Sequence, residues 1–113
     1  MIRKNDVLKT LIIRLERVQA PIWKRVASDL NKPTRQRRNV NISKLAMYAK
    51  SGEKMLVPGK VLASGVLSEP VHVVAYQYSS AAEQKIVNAG GSITTIESEI
   101  KANPKGSKLR IIG

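Results

Sequence analysis

The chain contains no cysteine and no phenylalanine, and its aromatic side chains are limited to Trp23, Tyr48, Tyr76 and Tyr78. Without cysteine there is no disulfide, no thiolate zinc site and no cysteine nucleophile, a composition that fits a reducing interior. So few aromatics argue against the base-stacking sheet of the common RNA-recognition folds. No apolar run approaches the roughly 20 residues that a membrane span needs. The start Met1-Ile2-Arg3-Lys4-Asn5-Asp6 leads into an amphipathic, charge-interrupted segment rather than a signal-peptide core, so the expected location is cytoplasmic.

Groups for chemistry are equally scarce. His72 is the one histidine and has no carboxylate beside it in the sequence. The eight carboxylates show no metal-ligand spacing, and Glu97 and Glu99 stand two apart, which points them to different sides of a helix. Gly59 and Gly65 flank Lys60, but the Walker phosphate-loop spacing is absent and turn glycines are the simpler reading. Nothing here supports an enzyme, a cofactor, a metal site or a small-molecule substrate.

What the chain has is positive charge. Its 113 residues carry 20 Lys and Arg against 8 Asp and Glu, a net charge of +12, which favours nucleic acid or another polyanion and says nothing of fold. The charge is lopsided: residues 1–60 hold 15 basic and 4 acidic side chains, residues 61–113 hold 5 and 4. The length suits one domain, 1–113, with 1–52 as a basic helical and loop part that meets the partner and 53–113 as a compact α+β part.

Leu8, Leu11, Ile12, Leu15 and Val18 recur at three and four, predicting a helix capped by Asn5 or Asp6 and ending near Ala20. Pro21 then opens a second helix to Leu30, with Ile22 or Trp23, Val26, Ala27 and Leu30 inside and Lys24 and Arg25 outside; Trp23 reads as a packing anchor. Val40 to Ile42 reads as an edge strand, and Ser43 as the cap of a brief helix through Ala49. Met55 to Val57 and Lys60 to Ala63 read as two short strands separated by Pro58-Gly59. The best strand is Pro70 to Tyr78, where Val71, Val73 and Ala75 form an apolar face and His72 lies on the other. Ser80 and Glu83 predict a capping box, Gly90 a left-handed stop, and Thr94 with Glu97 a second box before a final helix that ends at Asn103-Pro104. Leu109 to Ile112 reads as a closing strand.

Between the helical start and these strands, no acidic residue occurs from Leu30 to Gly52, while Lys32, Arg35, Arg37, Arg38, Lys44 and Lys50 are basic. Pro33 and the polar residues Thr34, Gln36 and Asn39 predict a loop over Lys32 to Asn39. Planar, five-donor guanidinium groups fit phosphate oxygens bidentately and stack on exposed bases; the bland alternative is a solvated charged loop. Lys105, Lys108 and Arg110 form a second, smaller basic turn.

Four phrases in order, Asn41-Ile42-Ser43-Lys44-Leu45, Val57-Pro58-Gly59-Lys60-Val61-Leu62 with Gly65, Ala81-Ala82-Glu83 to Gly90-Gly91, and Asn103-Pro104-Lys105-Gly106-Ser107, resemble the L-eighteen-e family of large-subunit ribosomal proteins, archaeal type. The C-terminal half, Val57 to Ile93, is similar to the globular part of the L-fifteen-type ribosomal proteins. The resemblance implies an α+β fold, with N-terminal helices and a basic loop followed by irregular repeated strand-strand-helix units. It also implies a non-catalytic scaffold in the large subunit, with ribosomal RNA and neighbouring ribosomal proteins as partners. Its RNA-facing candidates here are Lys32, Arg35, Arg37, Arg38, Asn41, Lys44, Lys60, Lys105 and Lys108, while Arg14, Arg17, Lys24 and Arg25 face either RNA or solvent. The competing reading is a DNA-binding protein with its second helix in a groove, which Pro33 and the Arg-rich loop weaken. A protein resting on acidic membrane fails for want of an amphipathic segment with exposed apolar anchors.

Overall fold

The computed structural model describes residues 4–18, 20–31, 38–48 and 54–112, with side chains from Leu8 onward in the first stretch and from Asn39 onward in the third. Helix α1 (Lys4–Arg17) buries Leu11, Ile12 and Leu15 and half-buries Leu8, along the stripe their spacing requires. It has begun by Lys4, so Asn5 and Asp6 lie inside its first turn rather than capping it. Helix α2 (Pro21–Leu30) starts on proline, whose missing N–H costs nothing at a first turn. Trp23, Val26, Ala27 and Leu30 are buried on its inner face. Trp23 is the expected anchor, and its indole N–H donates to the Asn103 carbonyl at 3.1 Å, the partner a buried indole needs.

Strand β1 (Arg38–Asn41) begins at Arg38 rather than Val40, so Arg38 and Asn39 belong to a strand and not to the loop. Helix α3 (Ile42–Tyr48) already contains Ser43, which therefore does not cap it; the Ser43 N–H donates instead to the Ser64 carbonyl at 3.2 Å. The two strands expected around Pro58-Gly59 are one, β2 (Lys54–Leu62). Strand β3 (His72–Tyr78) follows, then helix α4 (Ser80–Asn88), strand β4 (Ser92–Thr95), helix α5 (Ile96–Ala102) and strand β5 (Leu109–Ile111). Both caps shift by one residue from the capping-box reading. Ser79 accepts from the Ala82 N–H and Thr95 from the Ser98 N–H, each at 3.1 Å, because each has the extended backbone a cap requires. Gly90, at φ 87, closes α4 as a left-handed residue.

The fold is an α+β mix in which every pairing between these strands is parallel, in the order β1-β2-β3-β4 with β5 also on β2. β5 pairs with Lys54 to Leu56 and β1 with Gly59 to Leu62, along the edge of β2 opposite β3. Pro58 falls in the gap between them, and on the β3 side it falls in the register shift between Val57 and Lys60. Its missing donor therefore breaks no ladder bond, which is why the strand continues through a residue that normally ends one.

Two apolar clusters cover the sheet. α1, α2 and α5 pack with Leu56 and Val74 in one; α3 and α4 pack with Val57, Val73 and Ala75 in the other. β3 thus buries consecutive residues, Val73 to Ala75, on both faces, where one apolar face was expected; only His72 at its start and Gln77 near its end are exposed. A parallel strand covered on both sides reads as a continuous apolar run.

The Tyr78 hydroxyl lies 2.6 Å from the Thr94 carbonyl oxygen and 3.0 Å from that of Val73, sharing one proton between them. Burial pushes its pKa up to about 12, against the lowering effect of the backbone hydrogen bonds. The protonated form is the one the fold favours, so its contribution is complete below pH 10 and is lost as pH rises from 10 towards about 12. Tyrosinate absorbance should show an ionisation step near pH 12, and Tyr78→Phe should abolish it. Val73→Asp, which puts a carboxylate at a site 1% exposed, should cost about 4 kcal/mol or more and read out as loss of the cooperative thermal transition.

Candidate nucleic-acid interface

Several basic side chains are committed to holding the fold. Arg14 pairs with Glu97 at 3.2 Å, and Lys101 approaches the same carboxylate at 4.0 Å. Lys54 reaches Glu99 at 3.0 Å, and Glu99, only 2% exposed, also accepts from the Asn103 side-chain amide at 3.2 Å. The two carboxylates do point to different sides of α5, one out and one in. Lys85 donates to the carbonyls of Ala63 and Gly65 at 2.8 and 3.2 Å, fastening α4 to the turn after β2. Arg110 lies 5.3 Å over the Tyr48 ring, a cation on an aromatic face.

Arg17, Lys24, Arg25, Lys44, Lys60, Lys105 and Lys108 make no ion pair with another described residue. Lys44 and Lys60 lie at one place and Lys105 and Lys108 at another, with Arg17, Lys24 and Arg25 on or beside α2; Lys9, also exposed and without an ion pair to a described residue, lies on α1.

The first is at the end of α2 and the start of β1. Lys32, Arg35 and Arg37 lie outside the described residues, and only the backbone of Arg38 is described. Both attachments of that segment are fixed. Asn31 ends α2 with its N–H on the Ala27 carbonyl at 3.0 Å, and Arg38 enters the sheet beside Gly59. Across the neighbouring strands, Asn39 pairs with Lys60 and Lys60 with Gln77, and all three side chains are exposed. Asn41 ends β1 beside Leu62, and Lys44 follows in the first turn of α3; both are half-buried. Lys60 therefore stands beside the first residues of β1, and Asn41 and Lys44 follow at its far end, where β1 passes into α3.

The second place is the turn from Asn103 to Lys108. The Asn103 amide donates to the Ser107 carbonyl at 2.9 Å and its carbonyl accepts from the Ser107 N–H at 3.1 Å, closing the turn. Gly106 is left-handed at φ 68, and a Cβ there would collide with the Ile22 side chain. This explains the phrase Asn103 to Ser107: it presses the turn onto the first residues of α2. Lys105 and Lys108 thus stand at the opposite end of α2 from Asn31, where the Arg-rich segment attaches, about 15 Å away along a ten-residue helix. Between them the outer face of α2 exposes Lys24, Arg25 and Ser28. Residue pattern left Lys24 and Arg25 undecided between RNA and solvent; their place between two basic clusters is the feature that sequence reasoning missed.

Other chemistry is sparse. His72 is exposed, with Nδ1 2.8 Å from the Ser92 hydroxyl across β3 and β4. Among the described residues no three His, Cys, Asp or Glu side chains group as metal ligands, and no helix is long and apolar enough to cross a membrane.

Residues 12–94 match the family profile of the ribosomal proteins 50S-L15 and 50S-L18e with their 60S counterpart. The chain is 46% identical to the large ribosomal subunit protein eL18 of Archaeoglobus fulgidus, over 99% of each chain. It is 43% identical to the eL18 of Methanoregula boonei, over 97% of this chain and 94% of the relative. It is 48% identical to the eL18 of Methanococcus maripaludis, over 82% of this chain and 78% of the relative.

The split between committed and uncommitted cations has a measurable consequence. Lys54→Met, which leaves the buried Glu99 without its cation, should cost about 3 kcal/mol in urea unfolding. Lys24→Gln should stay within about 0.5 kcal/mol of the parent in the same assay.

Proposed function

Because the chain belongs to the family of the large-subunit ribosomal proteins 50S-L15 and 50S-L18e, whose archaeal eL18 members it matches over nearly its full length, we propose that it holds large-subunit ribosomal RNA through its basic Arg-rich loop and basic turns. It is a structural constituent of the large subunit and not an enzyme. The observation that carries the finer reading is the segment Leu30 to Gly52, free of acidic residues and rich in Lys and Arg, with fixed attachments at α2 and β1. Lys32, Arg35, Arg37, Arg38, Asn41, Lys44 and Lys60 form one contact, and Lys105 and Lys108 a second. Residues 1–52 then supply most of the RNA-facing surface of a single domain whose remainder, 53–113, is its compact part. Such a contact neutralises phosphates and follows the shape of folded RNA more than its base sequence, and released counterions supply much of the affinity. Neighbouring ribosomal proteins complete its surroundings in the cytoplasmic ribosome.

The test is titration of large-subunit RNA fragments and of an equal mass of duplex DNA from about 50 to 200 mM salt. Binding to a particular RNA fragment should be one-to-one and survive excess duplex. Replacing Arg35, Arg37 and Arg38 with Gln should lower the salt dependence by about two phosphate contacts or more and leave the melting temperature nearly unchanged. Equal affinity for both nucleic acids, or a triple variant that melts early yet binds normally, would count against the reading.

A further inference from the structure

The turn after β2 carries Val66, which at 82% is the most exposed large apolar side chain among the described residues. The turn is held from two sides. The Ser64 carbonyl accepts from the Ser43 N–H at 3.2 Å, and the carbonyls of Ala63 and Gly65 accept from the Lys85 ammonium at 2.8 and 3.2 Å. Gly65, at φ 113, packs so closely on α3 that a Cβ there would stand 2.6 Å from that of Ser43. A turn pinned in this way cannot fold Val66 inward. Between it and the C-terminal end of α4 lies a groove of about 270 Å³, lined by Gly65, Val66, Leu67, Lys85, Asn88 and Ala89.

The charge here runs against that of the rest of the chain. Residues 61–100 hold one lysine, Lys85, against Glu69, Glu83, Glu97 and Glu99. Asn88 and Ala89 are the last residue and the cap of α4, so the groove opens at the negative end of that helix. Glu69 is exposed, makes no ion pair with another described residue, and flanks Leu67 in an adjoining hollow. A phosphate entering the groove would have to draw Lys85 off two carbonyls, within the field of a helix C-terminus and of Glu69. An apolar side chain followed by a cation meets neither obstacle.

We propose that this groove seats a basic segment of a neighbouring large-subunit protein, with an apolar side chain of that segment against Val66, Leu67 and Ala89 and a lysine or arginine reaching Glu69. The inference rests on the chain's place in the large subunit and does not need the Arg-rich contact. The walls are set before the partner arrives, so little side-chain freedom is lost on docking. Ser43, against which Gly65 packs, is followed by Lys44. The groove therefore adjoins one end of the proposed RNA contact, and a basic partner there would share that RNA rather than repel it.

The experiment places the photocrosslinker p-benzoylphenylalanine at position 66 of the full chain in assembled large subunits and maps the adduct by mass spectrometry. The crosslink should fall on one protein segment, with Lys or Arg within a few residues of the crosslinked side chain. A synthetic peptide of that segment should bind the full chain. Val66→Asp should weaken it about ten-fold, the order of one lost valine contact. Glu69→Gln should weaken it about three-fold, an effect that shrinks as salt rises. Both variants should keep the parent's melting temperature and its affinity for the RNA fragment, and the triple Gln loop variant should keep the parent's affinity for the peptide. A crosslink to RNA, to another copy of the chain or to no neighbour would overturn the proposal. So would a segment without basic residues, or a peptide that fails to bind the parent or binds both variants equally well. None of these results touches the RNA-binding reading, which fails only if the triple Gln variant holds RNA as tightly as the parent.

Discussion

β2 has both of its edges paired and both of its faces covered, and the other elements take their places from it. β3 occupies one edge; β5 and then β1 share the other, end to end, with Pro58 at the junction. Leu56 and Val57 point into different apolar clusters, so the same strand supplies both cores. A parallel strand so placed has no face left for water, and its neighbours are forced to bring helices to each side. α1, α2 and α5 satisfy one side and α3 and α4 the other. The N-terminal helices are therefore half of the sheet's cover rather than an appendage to a C-terminal domain.

That arrangement divides the positive charge. Some cations are engaged within the fold: Lys54 neutralises the buried Glu99, Lys85 binds two carbonyls, and at the surface Arg14 and Lys101 share Glu97. Lys24 and Arg25 on the outer face of α2, and Arg17, Lys105 and Lys108 near its start, have no such partner among the described residues. A net charge of +12 would repel itself in a compact state, and a bound polyanion would screen it. In the proposed role, stability and binding would depend on different lysines and arginines, although nothing in a count of charges distinguishes them.

The sequence made some of this legible and concealed the rest for identifiable reasons. α2 was readable to the residue because Pro21 and the Trp23, Val26, Ala27, Leu30 stripe agree. β2 was not, because Pro58-Gly59 is a turn signal locally and only the division of its edge between β5 and β1 makes proline harmless there. β4 escaped notice because Ser92 to Thr95 has neither length nor alternation, and its existence depends on pairing with β3. The caps were misplaced by one residue since adjacent serines and threonines offer the same hydroxyl, and backbone conformation decides which one uses it. Of the interface, the run of basic residues was visible as composition. The joining of Lys105 and Lys108 to α2 was not, for it depends on Asn103 meeting Trp23 across 80 positions of chain.

α2 also sets a length. Its buried face is locked by Trp23 and Leu30 at either end, so Asn31, where the Arg-rich segment begins, is held at a fixed distance from the turn that carries Lys105 and Lys108. In the proposed role, docking of one cluster would bring the second to RNA at a high local concentration, and their joint affinity would exceed what either provides, given phosphates about 15 Å apart in the right direction. A misfolded or unrelated RNA satisfies one cluster and not the other. In the RNA-binding role proposed above, discrimination would then come from spacing, without any base being read in a duplex, which suits a protein with few aromatics.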